Sequence, residues 1–201
     1  MRTGVIVAGG YSTRFGEGDK AVADLAGTPM SRRVADRLAP VIDDLVLNCR
    51  PEQRPAIEDA LTGYDHPVTV AADDEPDRGP MTGILTGLRA AESEFAVVVA
   101  CDMPFVDPAL VRRLFERARD RDAAVPRVDG RDQPLQAVYH VDATVAACEA
   151  ALARDQRAVF AALNDLDWAV VQESEIRAVA GLDSLRNVNT REDLRLAATE
   201  L

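Results

Sequence analysis

The chain has 201 residues, 47% of them hydrophobic, and a formal net charge of −11 from 34 acidic and 23 basic residues. That length suits one domain, since domains commonly span about 100–200 residues, and the apolar share supports a packed core rather than a disordered acidic chain. A surface this acidic repels phosphate backbones, which argues against nucleic-acid binding, and no apolar run approaches the roughly 18 residues of a membrane span.

Met1–Gly10 carries one Arg and a short apolar run, too little for a signal peptide. A soluble, cytoplasmic protein is expected. Gly4–Ala8 reads as a first strand running into a glycine pair. Thr28 and Pro29 offer an N-cap and first-turn proline for a helix over about 30–39. A second strand at Leu45–Cys49, a helix at Pro55–Leu61, a third strand at Val68–Ala72 and a helix at Thr82–Ala91 follow. Phe95–Ala100 (FAVVVA) is apolar throughout, as a strand covered on both faces would be. Asp107 and Pro108 open a helix to about 119. Strands at Ala123–Pro126 and Leu135–His140 flank a polar turn over Arg127–Gln133. Helices at about 142–153 and 156–164, a strand at Ala169–Gln172 and a last helix after Thr190 complete the chain, with Thr190 and Asp193 spaced as a capping box.

This alternation predicts a single-domain, Rossmann-like three-layer α/β/α fold with a mostly parallel sheet, spanning residues 1–201. In such sheets ligands bind beyond the carboxyl ends of the strands. The residues there are Gly9–Lys20, Asn48, Asp73–Pro80 and Asp102, and they are polar or glycine-rich.

The first of these ends reads AGGYSTRFGEGDK. Gly9 and Gly10 let backbone N–H groups approach a phosphate, and Arg14 and Lys20 supply positive charge. Lys20 is the one lysine among the 23 basic residues. The segment lacks both the G-K-[ST] close of a P-loop and the G-x-G-x-x-G spacing of a dinucleotide fold. Asp102 directly follows the buried strand, where its carboxylate would face the crevice and hold Mg²⁺. Asp73 is one of three consecutive acids, Asp73, Asp74 and Glu75, a pattern that a solvated charge run would also give. Asn48 either reads a base edge through its amide or simply turns the chain. Gly79 and Gly83 either admit a ligand at a helix start or only begin that helix. Tyr139 and His140 read as core or crevice wall. Cys49, Cys101 and Cys148 are widely spaced and apolar in context, as buried free thiols would be.

The AGG-x-S-x-R-x-G loop closed by D-K resembles the signature of the nucleotidyltransferases, and the branch it most resembles is the molybdenum cofactor guanylyltransferases. Asp73 before Gly79-Pro80-Met81-Thr82-Gly83, Cys101-Asp102-Met103-Pro104, Pro134-Leu135-Gln136-Ala137-Val138-Tyr139 and Asn187-Val188-Asn189-Thr190 are similar to that branch's later motifs, in order. Phe15, Met81-Thr82 and Arg191 depart from its pattern without removing a charge. The resemblance implies that residues 1–107 bind nucleotide and 108–201 bind the acceptor, with Ala8, Gly9, Gly10, Lys20, Asn48, Asp73, Gly79, Gly83 and Asp102 on the nucleotide. It puts Asn187 and Asn189 beside the pterin phosphate.

It further implies in-line attack by the terminal phosphate of molybdopterin, carrying molybdenum, on the α-phosphorus of GTP. Asp102 would hold Mg²⁺, and Arg14 and Lys20 would stabilise the departing pyrophosphate. A molybdenum insertase or a recipient enzyme's chaperone is the implied delivery partner. A molybdopterin cytidylyltransferase, a cobinamide-phosphate guanylyltransferase and a sugar-1-phosphate transferase remain open, as does a GTP-binding module without catalysis. The acidic, arginine-rich and lysine-poor composition resembles that of proteins from salt-loving archaea, in which high salt screens surface repulsion.

Overall fold

The computed structural model describes residues 1–10, 15–16, 18–73 and 79–201, so Arg14 lies outside the described residues. The first half runs β1 (Thr3–Val7), β2 (Asp24–Leu25), β3 (Thr28–Pro29), α1 (Met30–Leu38), β4 (Asp44–Cys49) and α2 (Arg54–Ala60). It continues through β5 (Val68–Ala72), α3 (Pro80–Arg89), β6 (Phe95–Ala100) and α4 (Pro108–Ala118). Then come β7 (Ala123–Val128), β8 (Arg131–Asp132), β9 (Gln136–His140) and α5 (Val141–Ala153). The chain closes with α6 (Val159–Leu163), β10 (Trp168–Gln172), α7 (Glu173–Val179) and α8 (Arg191–Ala198).

The main sheet has the order β10-β7-β9-β6-β1-β4-β5, with β8 paired to β7. Neighbours in β6-β1-β4-β5 are parallel, whereas β9 runs antiparallel to both β6 and β7. Side chains alternate between two cores, as the pleat requires. Ile6, Leu47, Val97 and Val99 meet Val34 and Leu38 of α1, Ile57 of α2 and Leu110 and Leu114 of α4. Val5, Val46 and Val98 face the other way, onto Ile84 and Leu88 of α3 and Cys148 and Ala151 of α5. Two helical layers thus enclose one sheet, and the all-apolar β6 is buried because both of its faces are covered.

From β1 the chain steps outward to β4 and β5, then α3 carries it back to β6 on the other side of β1. The connections leaving β1 and β6 therefore diverge at their carboxyl ends, where Val7 pairs with Ala100. This is the switch point at which open α/β sheets bind ligands.

Two local expectations are corrected by pairing that depends on the rest of the fold, and one helix was not foreseen. Thr28 does not cap α1: it pairs with Leu25 in a hairpin turned by Ala26 and Gly27, both at positive φ, a mirror-image turn usually built from Asn-Gly. The polar segment after Pro126 is a second hairpin, in which Asp129 and Gly130 turn the chain at positive φ and Arg127 grips Asp132 at 2.6 Å. Glu173–Val179 is a helix that polar composition concealed, started by a Gln172–Glu175 capping box.

α3 lies unusually close to the sheet. A Cβ built on Gly83 would sit 2.5 Å from Asn48 Oδ1 and 2.9 Å from Val7, and one on Gly87 would collide with Val5. On helix propensity alone, Gly87→Ala would stabilise by about 1 kcal/mol, but forcing a methyl into a filled contact costs about 1–3 kcal/mol. The contact is with a strand-borne Val rather than a flexible side-chain end, so packing should win. We expect Gly87→Ala to lower the free energy of unfolding by about 1–2 kcal/mol, measured by denaturant titration in molar KCl; an unchanged or raised value would refute the close contact.

Candidate active site

Lys20 begins a helical turn, Lys20–Val22, after the glycine-rich loop. Asp19 caps that turn, accepting from the Ala21 N–H at 2.9 Å. The Lys20 side chain is only 7% exposed, and its Nζ donates to Asp102 Oδ2 at 2.7 Å and to Asn189 Oδ1 at 3.0 Å. Asp102 leaves β6 at the switch point, where the Cys101 N–H donates to the Val7 carbonyl. Its second oxygen, Oδ1, accepts from Asn187 Nδ2 at 2.9 Å.

The two asparagines arrive on a stretch that crosses the end of β6, where the Val188 N–H donates to the Asp102 carbonyl. Two anchors hold that stretch. Val188 enters a small core with Phe15, Leu25, Met30 and Ala197. Asp193, at the start of α8, accepts from the N–H groups of Asn189 and Thr190, and these bonds hold its carboxyl below the usual range. Lys20, Asp102, Asn187 and Asn189 therefore form one cluster drawn from three distant parts of the chain. Both asparagines, assigned above to the acceptor, bind the Lys20–Asp102 pair directly.

A second polar node lies beside the first, at the ends of β4 and β5. Asn48 is fully buried, and its Nδ2 donates to Asp73 Oδ1 at 2.7 Å. Asp73 is itself 6% exposed, which separates it from a solvated acidic run; Asp74 and Glu75 lie outside the described residues. A Cβ on Gly9 would stand 2.7 Å from Asp73 Oδ2, and Gly83 closes over Asn48 Oδ1. Ala8 N–H donates to the Asn48 carbonyl, tying β1's exit to this node. Asn48 thus commits its Nδ2 to Asp73, while its Oδ1 has no hydrogen-bond partner among the described residues, and Asp73 becomes the oriented carboxylate. Gly79 precedes α3 with φ at 91°, a conformation for which glycine is suited.

The remaining candidates are placed away from chemistry. His140 sits at the opposite end of the sheet, paired with Phe95 at the start of β6. There it caps α5 through Nδ1 and packs edge-on against the Phe95 ring. Tyr139 is buried, with its hydroxyl donating to the Pro134 carbonyl. The three cysteines are free and buried. Burial raises the Cys49 thiol to about 11, with Asp73 adding to the shift. Burial, with Asp102 adding, pushes Cys101 further still. A protonated thiol is a poor nucleophile, so neither cysteine beside the site suits covalent catalysis.

Residues 50–53 were not singled out from the sequence, yet they touch the glycine-rich loop. Arg50 Nη1 donates to the carbonyls of Gly9 and Gly10 at 3.0 and 2.7 Å. Gln53 Nε2 donates to the Ala8 carbonyl and to Asp19 Oδ2. Their only sequence signal is position, just past the strand that ends in Asn48.

A glycine-rich first turn and a Lys–Asp pair at the switch point of a parallel sheet define a nucleotidyltransferase. Residues 4–167 match the family model described as MobA-like NTP transferase domain, and the chain belongs to that family. It is similar to a probable molybdenum cofactor guanylyltransferase of Natronomonas pharaonis, 48% identical over 100% of this chain and 98% of that one. A protein of the same name from Haloferax mediterranei is 40% identical over 96% of this chain and 91% of its own. The crystal structure of molybdopterin-guanine dinucleotide biosynthesis protein A from Archaeoglobus fulgidus superimposes with a TM-score of 0.80 at 28% identity, covering 100% of this chain and 98% of that chain. Asn187 and Asn189 lie beyond the segment that matches the family model, although they complete the Lys20–Asp102 cluster.

The Asn48–Asp73 node can be tested through its charge. Asn48→Asp would set a second carboxylate against Asp73, and two carboxylates sharing a site cannot both ionise cheaply, so one pKa rises above the ordinary value of about 4. The folded state then keeps a proton that the unfolded chain has released. Its relative stability is greatest below the unfolded pKa and falls as pH climbs toward the raised one. The gap in unfolding free energy between Asn48→Asp and the parent should therefore widen between about pH 5 and pH 7. A gap independent of pH would mean that the two side chains do not meet.

Proposed function

We propose that this chain transfers GMP from GTP to the terminal phosphate of molybdenum-loaded molybdopterin, releasing pyrophosphate and forming the guanine dinucleotide form of the cofactor. The observation that carries this reading is the cluster of Lys20, Asp102, Asn187 and Asn189 at the switch point. A phosphomonoester acceptor is already anionic near neutral pH, so the reaction requires no general base. What it requires is positioning of two anionic reactants and neutralisation of the charge that builds on the leaving group.

Lys20 meets that demand. An ammonium has three N–H donors; two are held by Asp102 and Asn189, which aims the third toward a phosphate oxygen. Arg14, on the same loop, is proposed as a second cation for the departing pyrophosphate. Gly9 and Gly10 offer N–H groups to the phosphates. Asp73, oriented by Asn48, is proposed to bind the base or ribose, with Gly79 and Gly83 leaving room for it. Asn187 and Asn189 border the acceptor side and keep the Lys20–Asp102 pair in register.

Asp102 is the proposed Mg²⁺ ligand. Its oxygens accept one hydrogen bond each, whereas a carboxylate offers about four lone-pair sites, so room for a cation remains. Mg²⁺ is commonly held by one or two carboxylates plus substrate phosphates, and a single carboxylate facing a triphosphate suits that mode. When bound, the ion would neutralise phosphate charge.

Among the described residues no helix is long and apolar enough to cross a membrane, and cytoplasmic residence is proposed on that footing. Operation in concentrated salt is proposed from the net charge of −11 and the single lysine. A protein that delivers the loaded pterin, either an insertase or the recipient's chaperone, is part of the same proposal.

The test is pyrophosphate release from GTP, CTP, ATP and UTP with Mg²⁺ and molybdenum-loaded molybdopterin in molar KCl. Release should occur with GTP and only when the pterin is present; release from CTP alone would change the nucleotide assigned. Asp102→Ala and Lys20→Ala should each lower turnover by about 10²–10³-fold, with circular dichroism reporting an intact fold. Near-normal turnover in either variant would remove that residue from the chemistry.

A further inference from the structure

Arg50 and Gln53 lie behind the glycine-rich loop, on the turn that follows β4. Arg50 is 9% exposed and Gln53 is 3% exposed. The pair is locked internally, because the Arg50 N–H donates to Gln53 Oε1 at 2.8 Å. From this base Gln53 Nε2 reaches the Ala8 carbonyl at 3.1 Å, and Arg50 Nη1 reaches the Gly9 and Gly10 carbonyls. Gln53 Nε2 also holds Asp19 Oδ2 at 2.8 Å, at the far end of the loop and one residue before Lys20.

A trans peptide unit points its C=O and its N–H in opposite directions. With the carbonyls of Ala8 and Gly9 turned toward Gln53 and Arg50, the N–H groups of Gly9 and Gly10 must point away from them. Glycines readily sample both signs of φ, and the two side chains restrict that freedom by holding the carbonyls of the same peptide units.

We infer that Arg50 and Gln53 form a clamp on Ala8–Gly10 and Asp19 that presets the Gly9 and Gly10 N–H groups for a nucleotide's phosphate chain. They are positioning residues: they act through loop carbonyls and through Asp19, without touching the nucleotide. Arg suits the task because one of its terminal nitrogens can serve two carbonyls while Nε holds Glu52 at 2.8 Å. Lysine would bring the charge without that fixed fork. The inference rests on the nucleotide site proposed above and adds a phosphate-specific role outside it.

The experiment compares the affinities of GTP and guanosine by calorimetry in molar KCl with Mg²⁺, for the parent, Arg50→Met, Arg50→Lys and Gln53→Leu. A preset phosphate loop predicts that Arg50→Met and Gln53→Leu weaken GTP by about tenfold or more, while guanosine changes by less than about twofold. Arg50→Lys should still lose most of the GTP affinity that Arg50→Met loses. Parallel losses for GTP and guanosine would overturn the clamp in favour of a general structural role. Full recovery in Arg50→Lys would overturn it in favour of charge alone, and unchanged GTP affinity would overturn it outright. Thermal unfolding identifies any variant that fails to fold; in that case Arg50→Lys and Gln53→Leu carry the comparison. CTP in the same titrations keeps the two proposals apart, since a parent that prefers CTP would overturn the guanylyl assignment and leave the phosphate comparison in force.

Discussion

The arrangement of the whole site depends on one nearly buried ion pair, Lys20 with Asp102. Taking both charges out of water costs several kcal/mol per ion as an order of magnitude, and their mutual attraction offsets this only when further hydrogen bonds complete the shell. Asn187 and Asn189 complete it, one on each partner. The need for that shell explains why the chain returns across the end of β6 after residue 186. It also explains why α8 begins where Asp193 can hold the backbone of Asn189 and Thr190. An exposed pair would be cheaper to fold. A shielded one acts on neighbouring groups with less attenuation by water.

The Asn48–Asp73 node follows the same logic with a different currency of charge. Here a carboxylate is oriented by a neutral amide, and the backbone closes over both because Gly9 and Gly83 carry no side chain. The two nodes occupy neighbouring strand ends on either side of β1. The glycine-rich loop leaves β1 between them, with Gly9 against Asp73. That adjacency comes from sheet order: β4 and β6 flank β1, although about 40 residues of sequence separate each of these strands from the next.

What could be read in advance was whatever rests on local chemistry. A glycine pair after an apolar run, a lone lysine, and an aspartate directly behind the all-apolar FAVVVA strand each announce themselves within a few residues. So do the strands themselves, because burial on one or both faces leaves a pattern. What could not be read depends on distant partners. Ala26-Gly27 is a poor hairpin signal; the helix does start at Met30 as expected, but Thr28 pairs with Leu25 instead of capping it, and Pro29 stands at the cap. Asn48 was legible as a polar strand end but not as a partner for Asp73. Arg50 and Gln53 looked like any polar turn, since their role lies in carbonyls some 40 residues earlier.

The distribution of cations sharpens the case for the ion pair. On the surface arginine does the pairing, and often with two contacts: Arg186 spans both oxygens of Glu200, and Arg127 both of Asp132. A planar fork suits a carboxylate met face to face. At position 20 the geometry differs, because the cation reaches Asp102 and Asn189 from one atom and, in the proposed reaction, a phosphate oxygen in a third direction. A tetrahedral ammonium with three rotatable donors can do this, whereas a guanidinium confines its donors to a plane. In a chain that otherwise uses arginine for every basic position, the single lysine stands where a planar cation would be the wrong shape.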